Sequence, residues 1–179
     1  MSTSGRIGMI ALLTIALTGV TSRSGGARDS AELGTPKPNG PQEAEVLAVL
    51  ADPRTQAPTV LLQGKRDKRT LIMTIGLAEA TGIALPLQGV TPPRPLTHDL
   101  FLALFARLKV TVNRVVINDL RDDIYYATIH LTSAAGEMVL DSRPSDAIAL
   151  AIRAGAPVLV EDRVFDKAGT LQAPRRPHI

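Results

Sequence analysis

Apolar residues in the first half of the chain recur in short segments that end at turn-forming pairs such as Asp-Pro and Gly-Lys. Segments of this length and composition are typical of β-strands. The charged connection at 64–69 is too short for a crossover, so the two strands that it joins should pair antiparallel. The pattern therefore predicts a three-stranded meander with strands at 43–51, 57–63 and 70–75.

A second set of short apolar segments occupies the later half of the chain and is rich in β-branched residues such as Val112, Val115 and Ile117. β-branched side chains favour strands. We expect turns at 119–122 and 134–136, and their short length again implies antiparallel pairing. The strands predicted for this half lie at 110–118, 123–132, 136–141 and 157–160.

Helical periodicity is clearest at 97–108, where leucine and phenylalanine recur every three or four residues. A stripe of this kind predicts a helix that buries it against the core. The segment 147–152 is apolar on nearly every face, which predicts a deeply buried helix that ends at Gly155. The stripe of the first of these helices consists of Leu100, Phe101, Leu104, Phe105 and Leu108.

Two further helices are predicted at 76–88 and 161–168. Gly82 weakens the first of them, and Pro86 should kink or end it. Because strands and helices occur in blocks rather than in strict alternation, the order of elements indicates an α+β fold. We expect a largely antiparallel or mixed β-sheet flanked by three or four helices in a single compact domain.

The two ends of the chain differ in composition from this domain, which we place at 43–168. Residues 1–22 resemble a signal peptide whose apolar run is too short to span a bilayer comfortably. Residues 23–42, rich in Gly, Ser and Pro, indicate a flexible linker, and 169–179 a polar tail. We therefore expect export to the periplasm or the outside, with no stable membrane span in the mature protein; a leader that is not removed would instead anchor it.

The net charge of +3 arises outside the predicted domain. The two ends carry six of the 20 basic residues and two of the 17 acidic residues. Residues 42–169 therefore hold 14 basic and 15 acidic residues, and this part of the chain is close to neutral. A domain that neutralises many phosphates is usually more basic. The absence of cysteine excludes disulfides, thiolate metal sites and cysteine nucleophiles. With Phe101 and Phe105 assigned to the core, base-stacking side chains should be scarce.

Polar residues that can do chemistry collect just before two helices. Arg94, His98 and Asp99 surround the start of the helix at 97–108, where Thr97 is the expected N-cap. The segment 141–146 reads Asp-Ser-Arg-Pro-Ser-Asp and opens the buried helix.

Two motifs in these regions, together with 75–80, are long and specific. They read RPLTHDL at 94–100 and DSRPSDAIALA at 141–151, and the earlier segment reads IGLAEA. In this order and spacing they resemble the bifunctional nuclease domain family. The resemblance implies a compact α+β domain, often oligomeric, that hydrolyses both DNA and RNA. The positions that match the motifs are Glu79, Arg94, His98, Asp99, Asp141, Arg143, Ser145 and Asp146. Two departures are Pro86, where the family usually continues a helix, and the Asp-Asp-Ile sequence at 122–124, where glycine is common.

These residue types suffice for phosphodiester hydrolysis. A histidine can move a proton near neutral pH, and arginine binds phosphate in a bidentate way. Carboxylates can hold Mg²⁺ or Mn²⁺, which we expect as the cofactor, with no organic cofactor. We predict catalytic roles for His98, Asp99 and Glu79. We further predict substrate binding by Arg94 and Arg143, and metal binding by Asp99, Asp141 and Asp146. The expected partners are DNA and RNA as substrates, and a second copy of the chain in a homo-oligomer.

The same residues also allow a non-catalytic interpretation. Asp99 and Asp146 lie in first helical turns, where a carboxylate stabilises the helix dipole. Thr97 and Ser145 would then act only as helix caps, and Arg143 would pair with Asp141 or Asp99. In that case the protein is a ligand-binding or partner-binding module of the same fold.

Overall fold

The structure is a computed structural model that describes residues 40–172, and side chains up to 169. Seven strands and four helices make up this part of the chain. The strands are β1 (Gln42–Ala51), β2 (Pro58–Gly64), β3 (Thr70–Thr74), β4 (Thr111–Arg121), β5 (Ile124–Ser133), β6 (Gly136–Ser142) and β7 (Val158–Val160). The helices are α1 (Leu77–Leu87), α2 (Thr97–Arg107), α3 (Pro144–Ala154) and α4 (Asp162–Gln172).

All seven strands form one sheet in the order β3-β2-β1-β7-β4-β5-β6. The predicted meander of β1, β2 and β3 is present, β4, β5 and β6 form a second meander, and every neighbouring pair is antiparallel except β4 with β7. The short strand β7 lies between the two meanders and joins them into one sheet. The sequence prediction of a mixed sheet with four helices in a single α+β domain is therefore confirmed.

The helix α3 lies at the centre of the packing, against α1, α2, β4 and β5. Ala147, Ile148, Ala149 and Ala151 are fully buried in it, as its apolar sequence predicts. Three of these four side chains are single methyl groups, so neighbouring elements approach its backbone closely. Burying a large apolar side chain such as that of Ile148 stabilises the folded state by roughly 1.5–3 kcal/mol, and burying an alanine side chain stabilises it by less.

The prediction that α2 buries its leucine stripe is wrong. Leu100 is 66% exposed, Leu104 48% and Leu108 61%, and Phe101 is also 47% exposed. The helix packs mainly on α3, through a face that carries His98, Leu102 and Phe105, so Phe105 is the one residue of the predicted stripe that packs against the core. Periodicity identified an apolar stripe correctly, but it cannot tell whether that stripe meets the core or another surface.

The turn predicted at 119–122 is also wrong, because β4 continues to Arg121 and pairs there with Ile124. The hairpin instead uses a two-residue turn, Asp122-Asp123, with φ angles of 48° and 62°. Positive φ at both central positions defines a type I′ turn, in which aspartate is tolerated and glycine is preferred. Asp119 lies buried within the strand, where its pairs with Lys167 and Arg121 lower its pKa strongly.

The basic turn between β2 and β3 is held against the start of α4. Arg66 and Arg69 both reach Asp162, and Arg69 also pairs with Asp67 and Asp166. Because these cations already have carboxylate partners, the turn contributes little unpaired positive charge for a phosphate.

The described helices and strands begin at Gln42 and end at Gln172. Gln42 pairs with Val160 of β7, and its side chain donates hydrogen bonds to Asp67 and Asp162. The helix α4 continues to Gln172, past the predicted limit at 168. The leader at 1–22, the linker up to 39 and the tail beyond 172 lie outside the described residues. Within 40–172, no helix has both the length and the apolar character needed to cross a bilayer.

Candidate functional site

His98 lies in the first turn of α2 and is buried between three helices. Its Nε2 is 3.3 Å from Oδ1 of Asp146, in the first turn of α3. On the other side the imidazole rests against Gly82 of α1, where an added Cβ would be 3.0 Å from Nδ1 and Cε1. Glycine at position 82 therefore leaves the space that the imidazole occupies.

Arg143 links Asp146 to α1. Its Nε and Nη2 donate to the two oxygens of Asp146 over 2.7 and 3.1 Å, and Nη2 also lies 2.8 Å from Oε1 of Glu79. Burial opposes the ionisation of Asp146, but its bonds to Arg143 and His98 outweigh burial and lower its pKa. The hydrogen bonds to Asp146 and Glu79 raise the pKa of Arg143. We call the chain of contacts Glu79–Arg143–Asp146–His98 the His98 network.

Asp99 takes part in a separate, more buried set of contacts. The Arg153 side chain is only 8% exposed, and its Nε lies 2.7 Å from Oδ1 of Asp99. The same guanidinium donates to the carbonyl oxygens of Ala149 and Gly82. Arg153 thus connects α1, α2 and α3. Burial again favours the neutral acid, but the N–H of Leu96 and the charge of Arg153 outweigh it and lower the pKa of Asp99.

The expected caps are placed differently. The N-cap of α2 is Leu96, whose backbone N–H donates to Oδ2 of Asp99 over 2.8 Å, while Thr97 is the first helical residue. Arg143 is at the N-cap of α3, so Ser145 lies inside the first turn and is buried. The predictions of Thr97 and Ser145 as caps are therefore wrong. The carboxylate of Asp99 does the capping because it reaches back to the N–H that precedes the helix.

Arg94 and Asp141 stand apart from these contacts. Arg94 is exposed in the loop before α2, and Asp141 is exposed on β6. Within residues 40–172, neither side chain has a described ion pair or side-chain hydrogen bond. Arg143 pairs with Asp146 and Glu79 rather than with Asp141 or Asp99.

The His98 network lies at the boundary between two cavities. The first, of about 530 Å³, we call the polar cavity. It is lined by Ala78, Glu79, Thr81, Gly82, Pro95, Leu96, Thr97, His98, Arg143 and Asp146. The second, of about 420 Å³, we call the aromatic cavity. It shares Thr97, His98, Arg143 and Asp146, and adds Phe101, Phe105, Ile129, Leu140, Asp141, Ser142 and Leu150. The network is internally paired and is also open to ligands from both sides.

The carboxylates of this region do not form a preformed metal cage. In the part of the chain that the structure describes, no group of three or more His, Cys, Asp or Glu side chains is placed to hold a metal ion. Asp99 is engaged by Arg153, and Asp146 by Arg143 and His98. The residues present therefore do not fit a resident ion held by the protein alone.

Sequence reasoning missed two residues that position the site, Gly82 and Arg153. Gly82 drew attention only as a weak point in a helix, although a glycine inside a helix often marks close packing. Arg153 lies in the last turn of α3, where the helix dipole alone would favour a cation. Its signal was a cation in an otherwise apolar helix, where burial requires a partner.

We expect Asp99→Asn to lower the free energy of unfolding by about 2 kcal/mol at pH 7, because the buried guanidinium of Arg153 loses its counter-charge. The folded pKa of Asp99 is lowered, so its contribution is complete above its unfolded pKa of about 3.9 and disappears as pH falls through the folded value. The difference between wild type and variant should therefore shrink below about pH 4. Urea unfolding from pH 7 to 3.5 measures it.

Asp122→Asn is the matched control, because Asp122 is exposed in the hairpin turn and no ion pair is described for it within 40–172. An equal loss in both variants, or a loss from Asp99→Asn that does not depend on pH, would contradict the buried pair.

We expect Gly82→Ala to displace His98 without unfolding the protein. Alanine improves helix propensity by about 1 kcal/mol, but its methyl group would press on the imidazole. The NMR shifts of the His98 imidazole should change, while those of His130 on the sheet stay the same. Gly169→Ala in α4 is the control, because an added Cβ there meets nothing within 4 Å. Identical His98 shifts in Gly82→Ala and Gly169→Ala would contradict the conclusion that Gly82 leaves the space for the imidazole.

Comparison with known proteins agrees with the motifs. The family model of the bifunctional nuclease domain matches residues 60–172. An uncharacterized protein found in two strains of Mycobacterium tuberculosis is 39% identical over 129 residues, which is 72% of this chain and 77% of that protein. Bifunctional nuclease 1 of Oryza sativa is 30% identical over 103 residues, which is 55% of this chain and 31% of that protein.

The matched range contains the whole His98 network and all four helices. It also contains Gly82 and Arg153, which hold the imidazole and the helices in place. The chain belongs to the bifunctional nuclease domain family.

Proposed function

We propose that this protein is a nuclease that hydrolyses phosphodiester bonds of DNA and RNA with little sequence selectivity. The observation that supports it best is the His98 network, which puts a histidine, two carboxylates and an arginine at the boundary of two cavities. Acid–base groups and a cation within reach of one position are what phosphodiester hydrolysis requires. The family to which the chain belongs supports the same reaction class.

His98 is the proposed proton-transfer group. A carboxylate only accepts hydrogen bonds, so Asp146 holds the proton of His98 on Nε2 and leaves Nδ1 as the basic nitrogen. Nδ1 faces Gly82, and both residues line the polar cavity. In this proposal Nδ1 takes the proton from a water molecule in that cavity, and Asp146 stabilises the imidazolium that results.

Arg143 is the proposed phosphate ligand. Its side chain is 66% exposed, and within the described residues its Nη1 makes no hydrogen bond. Asp146 and Glu79 fix the guanidinium plane, which lowers the entropy lost when it binds a phosphate. Arg94, exposed in the preceding loop, would add a second, more mobile contact. Glu79 therefore acts through Arg143 rather than on the substrate.

Dependence on Mg²⁺ or Mn²⁺ remains a proposal. Mg²⁺ often binds through one or two carboxylates together with substrate phosphates, so it does not require a cage built by the protein alone. Bound in this way, the ion would neutralise charge on the phosphoryl oxygens. Since the described carboxylates do not form such a cage, we assign no step to the metal.

A non-catalytic binding module is the second candidate. It is favoured by the pairing within the His98 network, where each carboxylate already has a cationic or histidine partner. A network of this kind can hold three helices together without taking part in any reaction.

The test compares wild type with His98→Ala on single-stranded DNA, duplex DNA and RNA, with and without EDTA. Loss of the proton-transfer group should reduce cleavage by about 10²- to 10⁴-fold. His130→Ala, on the sheet and outside both cavities, should leave cleavage unchanged. Thermal melts show that each variant is folded. Equal residual activity in wild type and His98→Ala would favour the binding module. Cleavage by wild type in the presence of EDTA would contradict the proposed dependence on a divalent metal.

We also propose self-association through the exposed face of α2 and β6. Leu100, Leu104 and Leu108 form an exposed stripe on α2, and Met138 and Leu140 are exposed on β6. Contiguous exposed apolar side chains mark interaction surfaces. Leu104→Glu should lower the mass measured by light scattering, while Leu50→Glu on β1 should not. A monomeric wild type would refute the proposal.

Export is proposed on the leader alone. The mass of the mature chain tests whether residues 1–22 are removed or retained as an anchor.

A further inference from the structure

The aromatic cavity beside His98 has the size and lining of a ligand site. Its volume of about 420 Å³ falls in the range of small-molecule pockets. Its lining combines the apolar side chains of Phe101, Phe105 and Leu140 with the polar side chains of His98, Arg143, Asp141 and Asp146. Asp146 is already paired with Arg143 and His98. A ligand with a flat or apolar body and a polar group that the Arg143 guanidinium can bind fits this lining.

Phe101 supplies an aromatic surface that the fold itself does not use. Its side chain is 47% exposed, although phenylalanine is ordinarily buried. Phe105 packs against the core and meets Phe101 edge to face, with ring centroids 6.2 Å apart and planes at 60°. This contact holds the Phe101 ring in place and leaves it open to the cavity.

The other aromatic rings of the chain are already engaged. Arg121 covers the ring of Tyr126, and Arg69 covers that of Phe165. Tyr125 is half-buried, its hydroxyl donates to the carbonyl of Ile72, and it lines a separate cavity of about 300 Å³ that does not include His98. Among the described aromatic side chains, those of Phe101 and Phe105 are the ones that share a cavity with His98. The expectation that both phenylalanines belong to the core therefore fails for Phe101, while Phe105 packs against the core.

We propose that the aromatic cavity binds one unstacked nucleobase of the substrate against the ring of Phe101. The inference rests on the proposed nuclease function, because the bound base would belong to the nucleotide next to the phosphodiester bond that is cleaved beside His98. A base in this cavity would place its sugar-phosphate at the shared boundary, next to Arg143 and His98.

This assignment has a consequence for the substrate class. Stacking on an aromatic ring tolerates every base, which accords with little sequence selectivity. A base in a duplex must first unstack and unpair to enter such a pocket. The protein should therefore act on single-stranded DNA and RNA in preference to duplexes.

The first experiment measures binding by NMR on the full chain, with adenosine 5′-monophosphate and ribose 5-phosphate as probes. The nucleotide should bind at least about tenfold more tightly, because only it carries a base to stack. Phe101→Leu should remove most of that difference, while Phe101→Tyr, which keeps the ring, should retain it. Leu50→Ala on β1 is the control, since Leu50 is exposed to a similar extent but lies outside the cavity and outside the surface proposed for self-association.

Equal binding of the two probes, or a Phe101→Leu variant that binds the nucleotide like wild type, would overturn the proposal. The second experiment is the ratio of single-strand to duplex cleavage, which Phe101→Leu should lower. If wild type cleaves nucleic acid but Phe101→Leu leaves the single-strand to duplex ratio unchanged and no base-dependent binding is seen, the base pocket is refuted and the nuclease proposal stands. If wild type binds the nucleotide in preference to ribose 5-phosphate but does not cleave, the nuclease proposal is refuted and a nucleotide-binding pocket remains. No binding and no cleavage overturns both.

Discussion

The burial of α3 is the constraint on which the rest of the domain depends. A helix enclosed on nearly every side can present polar groups only near its ends, where their charges must find partners. Asp146 at the start and Arg153 near the end are those groups. Each takes its partner from another helix: Asp146 meets His98 of α2, and Arg153 meets Asp99 of α2 and the Gly82 carbonyl of α1. The polar motifs are thus also what holds three helices together.

The two arginines at the ends of α3 differ in burial and in how completely their hydrogen bonds are satisfied. Arg153 is almost fully buried and has its hydrogen bonds satisfied by a carboxylate and two carbonyls. Arg143 is two-thirds exposed and keeps one nitrogen without a described contact. Removing Arg153 would leave buried acceptors unpaired, whereas Arg143 can exchange its solvent contacts for a phosphate at small cost. The Arg143 end of the helix is therefore the one where the proposed chemistry can take place without disturbing the packing of the helices.

Electrostatics argue against a general phosphate-binding surface. Several cations are already paired with carboxylates. Arg66 and Arg69 of the β2–β3 turn pair with Asp162 of α4. Arg121 of β4 and Lys167 of α4 pair with Asp119 of β4. A nucleic acid would thus be recognised locally, by an oriented guanidinium and an aromatic ring, rather than by long-range attraction. Such binding should depend less on salt than that of a basic protein.

The sequence by itself determined the elements of this fold and the family. Alternating and helical periods place both meanders and all four helices, because local sterics and one-sided burial act over a few residues. The two long motifs at 94–100 and 141–151 are specific enough to indicate the family without the tertiary structure. Only the tertiary structure decided that Leu100 and Leu104 face outward, that Gly82 makes room for His98, and that Asp99 pairs with Arg153 rather than joining the His98 network. These outcomes depend on which elements of the chain meet in the folded domain, and Asp99 and Arg153 are 54 residues apart in sequence. A local pattern carries no information about such a partner.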